Sequence, residues 1–381
     1  MENKKKNGII PVIILAVVFG MASGGAGYLI ARSYLLDYNI PFLSEINYSQ
    51  GDYNGANLVI RDARKVIVEQ DTKIIDTINS ASNSIVGIFK KVEANEKIQG
   101  FSLDNYYQIN QVDGQGLIIT SDGWIITNFK IGFPENYVVI TKDKKIYSID
   151  KIVSDSLTSF YFLHINAMDL PVKRFAASNE INRGQLVATV SWDDLSWISR
   201  IADKEGEDKN LINSSDSFFD RLNLVDIPPE EFSNSVLFNL SGDIIGLINE
   251  QNKIEPIYHL DSAIISLLKY REIRRASLGV NYINLADLVK INLDESAQNN
   301  NDKGAVIIKD NQGVAIEKGS TAQLAGLKEG DIIISIDNIE INKDNDLVDV
   351  IQQYLAGDKI NIVFARNSIE EKIDVILGEI K

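Results

Sequence analysis

Short apolar runs broken by turn residues dominate the chain between residues 84 and 258. Clear examples are residues 85–89, 116–120, 124–126, 137–140 and 186–190. Turns rich in Gly, Asp and Ser separate strand pairs at residues 121–123 and 241–243. Many short strands with few long helical patterns predict an all-β barrel or sandwich. Residues 202–231 are mostly polar and are predicted to form a loop.

Helical spacing of apolar residues occurs at three other places. A helix that starts at Asp71 or Thr72 would have one apolar face, formed by Ile74, Ile75 and Ile78. Residues 260–273 predict a connecting helix. Residues 346–355 predict an amphipathic helix whose apolar side holds Leu347, Val350, Ile351 and Tyr354. This last helix lies in a third unit, residues 278–377, which has strands of its own.

The N-terminal segment has the pattern of a membrane anchor. No charged residue occurs from Ile9 to Ile30, and such a helix would be about 33 Å long, enough to cross a hydrocarbon core of roughly 30 Å. Three lysines, residues 4–6, precede the segment, whereas only Arg32 follows closely, so the positive-inside rule predicts a cytoplasmic N-terminus. We therefore expect a single-pass protein of the cell membrane whose main domains are extracytoplasmic.

A cleaved signal peptide is the competing interpretation of this segment, because small residues at 21–24 follow the first apolar run. Apolar residues resume at 28–30, which favours an uncleaved anchor. Gly20 and Gly24 form a GxxxG pattern, through which two membrane helices can approach closely.

Charge and composition exclude several classes of function. The chain has 53 acidic and 38 basic residues, with a net charge of −15, so we expect no nucleic-acid surface, which would need clustered Lys and Arg. It contains no cysteine and only two histidines, His164 and His259. These are too few ligands for a typical zinc site. We expect neither a metal nor a cofactor.

Two motifs stand out in the third unit: Leu278-Gly279-Val280 and residues 319–333, GSTAQLAGLKEGDII. Both resemble the PDZ domain of the HtrA/DegP family of serine proteases. In that family the first motif is a loop whose backbone N–H groups hold the carboxylate of a peptide C-terminus, and the peptide then adds a strand. The resemblance implies a groove lined by Leu278, Gly279, Val280, Asn281 and Tyr282, with Leu347 and Ile351 opposite. Leu347 and Ile351 could equally be core residues.

The middle unit resembles the trypsin-like domain of the same family. Residues 115–128, QGLIITSDGWIITN, are similar to the strand pair before the family's histidine, and residues 237–246, LFNLSGDIIG, to the strand pair after its serine. The implied fold is mainly β: a trypsin-like double β-barrel followed by an α+β PDZ domain, after an N-terminal transmembrane helix. We expect a tip and membrane helix at 1–36, a stalk at 37–70, the barrels at 71–262, the connecting helix at 263–276 and the PDZ domain at 277–381.

The family's catalytic positions carry other residues here. Ser233 falls on the nucleophile position, Lys130 on the histidine position and Ser159 on the aspartate position. Acyl transfer needs a base for the serine proton, a carboxylate to orient the base and N–H donors for the oxyanion. Glu231 replaces a glycine near the oxyanion position. We therefore expect little or no proteolysis.

Three functions compete on these observations. The leading hypothesis is an inactive HtrA-like protein that binds free C-termini or unfolded segments of extracytoplasmic proteins, as an adaptor or scaffold in protein quality control. The second is an active serine endopeptidase that uses Ser233, with Lys130 as its base in a Ser-Lys dyad. The third is a structural or oligomerisation role without peptide binding. The resemblance also implies a possible trimer.

Overall fold

The computed structural model describes Ser23 and residues 63–93, 101–204, 211–219, 221–249, 251–289 and 303–380. The predicted membrane segment, apart from Ser23, and most of the predicted stalk lie outside these residues. No helix within the described ranges is both long enough and apolar enough to cross a membrane.

The first described element is the helix α1, Ala63–Ser82. It is longer than the sequence pattern predicts, and Asp71 and Thr72 lie inside it rather than at its cap. The Thr77 hydroxyl donates to the carbonyl oxygen of Leu240 at 3.1 Å. This contact holds the helix against the second half of the β structure.

Six antiparallel strands form a closed barrel in the order β1-β2-β3-β6-β5-β4. Their bounds are β1 Ile85–Lys90, β2 Gly114–Ile118, β3 Trp124–Thr127, β4 Tyr137–Ile140, β5 Ile146–Ser154 and β6 Tyr161–Ile165. Alternate residues of β1 enter two different cores, because side chains of a strand point to opposite faces. Val86 and Ile88 fill the barrel interior, whereas Ile85 and Phe89 pack between this barrel and the next sheet.

A second six-stranded sheet has the order β10-β8-β7-β11-β12-β13. Its strands are β7 Leu186–Val190, β8 Ser196–Asp203, β10 Asn223–Leu224, β11 Val236–Asn239, β12 Ile244–Ile248 and β13 Ile254–Pro256. Its two edges meet through a bridge between Leu222 and Ile254, so the sheet closes on itself as a second barrel. The helix α2, Asp261–Tyr270, follows and packs its apolar side into the core between the barrels.

The C-terminal unit is a smaller β structure with two short helices. Its strands are β14 Ala276–Ser277, β15 Asn281–Asn284, β16 Ala305–Ile307, β17 Ile332–Ile336, β18 Ile339–Glu340, β19 Lys359–Arg366, β20 Ile369–Ile376 and β21 Gly378–Glu379. The helices are α3 Thr321–Ala325 and α4 Leu347–Ile351. A separate apolar core fills this unit. One further strand, β9 Asn213–Ser214, comes from the chain between β8 and β10 but joins the edge of this sheet.

The mainly β fold predicted from the sequence, with two barrel-like sheets before a smaller C-terminal domain, is confirmed. The predicted helix at 346–355 is present but shorter, because Asp346 caps α4 and the helix ends at Ile351. The predicted loop at 202–231 contains the short strands β9 and β10, which no hydrophobic alternation marks.

Candidate functional site

Ser233 lies on a tight turn that leads into β11. The turn is a 3-10 helix, Glu230–Phe232, and the backbone N–H of Ser233 closes it by donating to the carbonyl oxygen of Glu230 at 2.9 Å. The Ser233 hydroxyl donates to the side-chain oxygen of Asn252 at 3.2 Å. Asn252 in turn donates to the carbonyl oxygen of Pro228 at 3.1 Å.

Two side chains that follow or lie in strands of the first barrel bond to the second barrel, one of them at this turn. The buried Gln115 amide donates to the carbonyl oxygen of Ser233 at 3.3 Å and to the hydroxyl of Ser235 at 3.0 Å. Asn128, just after β3, donates to the carbonyl oxygen of Ile248 at 2.9 Å. Ser233 therefore lies at the junction of the two barrels.

Lys130 and Ser159 are brought to the same end of the first barrel, because β3 and β6 pair with Thr127 opposite Tyr161. Both residues are exposed. Ser159 sits in a turn with a φ of 61°. Within the described part of the chain, no hydrogen bond joins Ser233 to either residue.

The backbone N–H of Ser233 is not free to stabilise an oxyanion. The N–H of the nucleophile is a typical oxyanion donor, but here it is already bonded to Glu230. The side chain of Glu231 is exposed beside it and adds negative charge.

The two histidines have partners of their own. His164 Nδ1 lies 2.7 Å from Asp150 Oδ1, and its ring packs edge-on against Trp124. His259 is buried, with Nδ1 2.6 Å from Glu255 Oε1. Among the described contacts, neither histidine reaches Ser233.

A cleft of about 580 Å³ opens beside the nucleophile turn. Its lining includes Pro228, Asn252 and Lys253. The chain around β9 also lines it, through Ser214 and Phe218 among others. The side chain that receives the Ser233 hydroxyl hydrogen bond is thus also a wall of this cleft.

The predicted carboxylate loop, Leu278-Gly279-Val280, has a geometry suited to an anion. The N–H groups of Leu278 and Gly279 both donate to Asp216 Oδ1, at 3.0 and 3.2 Å. Gly279 has a φ of 78°, and a Cβ added there would lie 2.4 Å from Ser320 Cβ. Only glycine therefore fits this turn of the loop.

The strand after the loop is fixed to the helix opposite. The Tyr282 hydroxyl and the Asn284 amide both donate to the carboxylate of Asp346, which caps α4. Burial and the neighbouring Asp346 carboxylate raise the pKa of the Tyr282 phenol well above its ordinary value. Leu347 and Ile351 are fully buried in the core of the domain. Their predicted contact with a ligand stays a prediction.

Sequence reasoning missed Ser215, Asp216 and Asn252. Their types and spacing carry no distinctive motif, and each acquires its role only through contacts with residues far along the chain. No group of three or more His, Asp or Glu side chains within the described ranges could hold a metal ion.

Comparison with known proteins agrees with this architecture. Residues 276–377 match the model of the PDZ domain. The chain is 27% identical over 286 residues to a probable periplasmic serine endoprotease, DegP-like, of Hahella chejuensis, a match that covers 71% of this chain and 58% of that protein. It is 28% identical over 280 residues to the protein of the same description in a Marinomonas species, covering 69% and 56%. The chain thus spans little more than half the length of these relatives.

The fold also matches solved structures. The HtrA-type protease AlgW with a decapeptide superposes with a TM-score of 0.53 at 15% identity, covering 81% of this chain and 99% of that one. The same protease with a tripeptide gives a TM-score of 0.52 at 17% identity. The resemblance read from the sequence is confirmed: the chain has an HtrA/DegP-like trypsin fold followed by a PDZ domain.

Proposed function

We propose that this protein is an HtrA-like pseudoprotease that binds C-termini or unfolded segments of extracytoplasmic proteins through its PDZ domain without cutting them. The observation that carries the proposal is the hydrogen bonding of Ser233. Its hydroxyl donates to the amide oxygen of Asn252, and its N–H is committed to Glu230. A carboxamide oxygen is far too weakly basic to take a serine proton at neutral pH.

The state of the PDZ loop supports the binding half of the proposal. Leu278 and Gly279 direct two consecutive N–H groups at one carboxylate oxygen. A peptide C-terminus offers the same group, and hydrogen bonds to an ionised acceptor are about twice as strong as neutral ones. The domain thus keeps the chemistry for holding a carboxylate while the barrels lack the chemistry for hydrolysis.

The alternative of a Ser-Lys dyad gains no support from the geometry. Lys130 is exposed, and its amine has no described contact with Ser233. A lysine that acts as a base needs a depressed pKa, which normally requires burial. The third alternative, a structural role without peptide binding, is decided by the binding experiment below.

Membrane anchoring is the remaining part of the proposal. It is supported by the uncharged segment from Ile9 to Ile30 and by the lysines before it. The relatives named above are described as periplasmic. The full chain should stay in the membrane pellet after alkaline carbonate extraction, and deletion of residues 1–36 should release it.

Two measurements on the purified chain test the function. Pooled random peptides with free C-termini should bind, and amidation of the same peptides should weaken binding by roughly tenfold or more, because the carboxylate is lost. Unfolded casein should remain uncut in the wild type and in Ser233→Ala alike. Equal binding of free and amidated peptides would refute the PDZ mechanism, and cleavage that disappears in Ser233→Ala would refute the pseudoprotease.

A further inference from the structure

A segment of the chain between the second barrel and β10 lies along the edge of the PDZ sheet. The strand β9 pairs antiparallel with β15, with Asn213 opposite Tyr282 and Ser214 opposite Asn281. The pairing continues at Ser215, whose N–H donates to the carbonyl oxygen of Val280 at 2.9 Å. The other edge of β15 is already paired with β16. The segment therefore takes the free edge, which is the place where a bound peptide adds its strand.

The end of this segment fills the carboxylate loop. Asp216 Oδ1 accepts from the N–H groups of Leu278 and Gly279, and Oδ2 accepts from the Ser277 hydroxyl. The Ser215 hydroxyl oxygen accepts from the N–H groups of Gly279 and Val280, both at 3.1 Å. All three consecutive amides of the loop are thus satisfied by one short stretch of the same chain.

We infer that residues 213–216 are an internal ligand of the PDZ groove, with the Asp216 side chain in the place of a peptide's terminal carboxylate. The inference rests on the proposed function, because it assigns an occupant to the groove proposed there. The direction of the strand fits this role, since it runs antiparallel to β15 with Asp216 at the loop end. An external C-terminus must displace this segment before it binds.

The chain after Asp216 is anchored between the barrel and the PDZ helix. The Phe218 ring is buried and stacks on the His259 ring, with centroids 3.6 Å apart and planes within 4°. The guanidinium of Arg275, just before β14, lies 5.8 Å from the centroid of the same Phe218 ring. His259 Nε2 lies 4.0 Å from Asp349 Oδ1 on α4. The internal ligand is therefore held at a high effective concentration, which lowers the apparent affinity for a competing peptide.

Release of residues 213–216 from the PDZ groove would also change the surroundings of the turn at Ser233. Ser214 and Phe218 line the same cleft as Asn252. Asn252 holds the Ser233 hydroxyl. Peptide capture by the PDZ domain is thus coupled to the shape of this cleft, because Asn213 and Ser214 of the internal ligand line it.

A disulfide tests the position of the segment without any ligand. The chain has no cysteine of its own. Ser214 and Asn281 form a non-hydrogen-bonded pair, because the N–H and carbonyl of Asn281 bond to Ala315 and Ile308 on its other side. Cα atoms of such pairs lie about 4.5 Å apart, within the range that a disulfide spans. Under mild oxidation the full-length variant Ser214→Cys/Asn281→Cys should form an intramolecular disulfide.

The matched control moves the first cysteine from position 214 to position 217 of the same segment. Ser217 is exposed and lies beyond the pairing, so Ser217→Cys/Asn281→Cys should stay reduced under the same conditions. Mass spectrometry after alkylation of free thiols reads both variants. Equal disulfide yields in the two variants, or none in the first, would overturn the internal ligand.

A competition experiment tests the function of the segment. The probe is a labelled peptide with the sequence of residues 211–215, LINSS, whose free C-terminus stands where the Asp216 carboxylate now lies. Asp216→Ala removes charged hydrogen bonds that hold the internal ligand, so the full-length variant should bind the probe on the order of tenfold more tightly than the wild type. Asp226→Ala, an exposed acid on the same connection, should bind it as the wild type does.

The outcomes separate the two proposals. Equal affinity in the wild type and Asp216→Ala would overturn the internal ligand while leaving peptide binding intact. Absence of probe binding in every variant, together with the expected disulfide, would support the internal ligand and count against capture of external C-termini. In the Ser214→Cys/Asn281→Cys variant, probe binding that oxidation blocks and a reductant restores would support both the internal ligand and the capture of external C-termini.

Discussion

The Ser233 hydroxyl donates a hydrogen bond to the carboxamide oxygen of Asn252 at 3.2 Å. In a working serine protease the same hydroxyl faces an imidazole that accepts its proton. An amide accepts a hydrogen bond without accepting the proton, so the contact orients the hydroxyl but does not deprotonate it. Asn252 also lines the adjacent cleft, so the Ser233 hydroxyl contacts a residue of the same cleft that Ser214 lines.

Ser233 is therefore predicted to be inert toward a fluorophosphonate probe. Intact mass spectrometry should find no more adduct on the wild type than on Ser233→Ala, because no described group can remove the hydroxyl proton. An active trypsin-fold protease treated in parallel serves as the positive control. Labelling of the wild type that is lost both in Ser233→Ala and in Lys130→Ala would restore the Ser-Lys dyad as the better interpretation.

The sequence predicted the parts of the fold that depend on local patterns. Runs such as residues 85–89 marked strands, and the motif at 319–333 marked the PDZ domain, because turn glycines and apolar spacing are local features. The internal ligand was beyond such reasoning. Residues 213–216 are polar, β9 has only two residues, and its partner in β15 lies more than sixty positions later. Only the folded chain brings the Asp216 carboxylate to the amides of the loop.

The same limit applies to the nucleophile site. Alignment of motifs placed Ser233, Lys130 and Ser159, and the structure puts all three at one end of the first barrel or at its junction with the second. Asn252 lies in the turn between β12 and β13, which carries no motif, so its contact with Ser233 was not predictable. The long helix α1 was underestimated because its first residues carry no clear apolar face.

The buried pair of Asp155 and Arg275 is predicted to stabilise the joint between the barrels and the PDZ domain. Arg275 Nε and Nη2 donate to the two carboxylate oxygens at 2.9 and 2.5 Å, and both side chains are almost fully buried. Asp155→Ala leaves the guanidinium buried without its counter-charge, which typically costs about 3–5 kcal/mol. Thermal unfolding should show a large fall in Tm for this variant.

Asp150→Ala is the matched control for that prediction. Asp150 also pairs with a basic side chain, His164, but the pair is partly exposed, and such pairs contribute about 1 kcal/mol or less. Its Tm should stay close to that of the wild type. Equal losses in the two variants would show that the buried pair carries no special share of the stability.

The same pair predicts a loss of stability in acid. Burial raises the pKa of the Asp155 carboxyl, but the hydrogen bonds and charge of Arg275 outweigh it, so the pKa lies below its ordinary value. A lowered pKa in the folded state gives stability that is complete above the unfolded value of about 3.9 and is lost as the pH falls through the folded value. The wild-type Tm should therefore fall more steeply below about pH 4 than that of Asp155→Ala, and parallel curves would contradict the assignment.

Gln115 is predicted to stabilise the contact between the two barrels. Its side chain donates to the Ser235 hydroxyl at 3.0 Å and accepts from the backbone N–H of Trp192 at 2.6 Å. Gln115, Ser235 and Trp192 are all buried. Gln115→Leu leaves both partners buried without a hydrogen bond, at a cost of about 1–3 kcal/mol for each unsatisfied group. Gln111→Leu, at an exposed position, should unfold like the wild type. Similar Tm values for the two variants would show that Gln115 is replaceable.

Two glycines in the PDZ domain separate backbone strain from steric fit in the carboxylate loop. Gly279 and Gly313 have nearly the same φ, 78° and 83°, so alanine at either position should cost about 1–2 kcal/mol in backbone conformation. A Cβ at Gly313 meets no atom within 4 Å, whereas one at Gly279 would lie 2.4 Å from Ser320 Cβ. Gly279→Ala should therefore lose about a further 1–3 kcal/mol of stability from overpacking and should distort the amides that hold Asp216.

Two measurements test this prediction. Gly279→Ala should have a lower Tm than Gly313→Ala. In the Ser214→Cys/Asn281→Cys background, Gly279→Ala should reduce the disulfide yield, whereas Gly313→Ala should leave it unchanged. Matching results for the two alanine variants would mean that the close approach of Gly279 to Ser320 is not what shapes the loop.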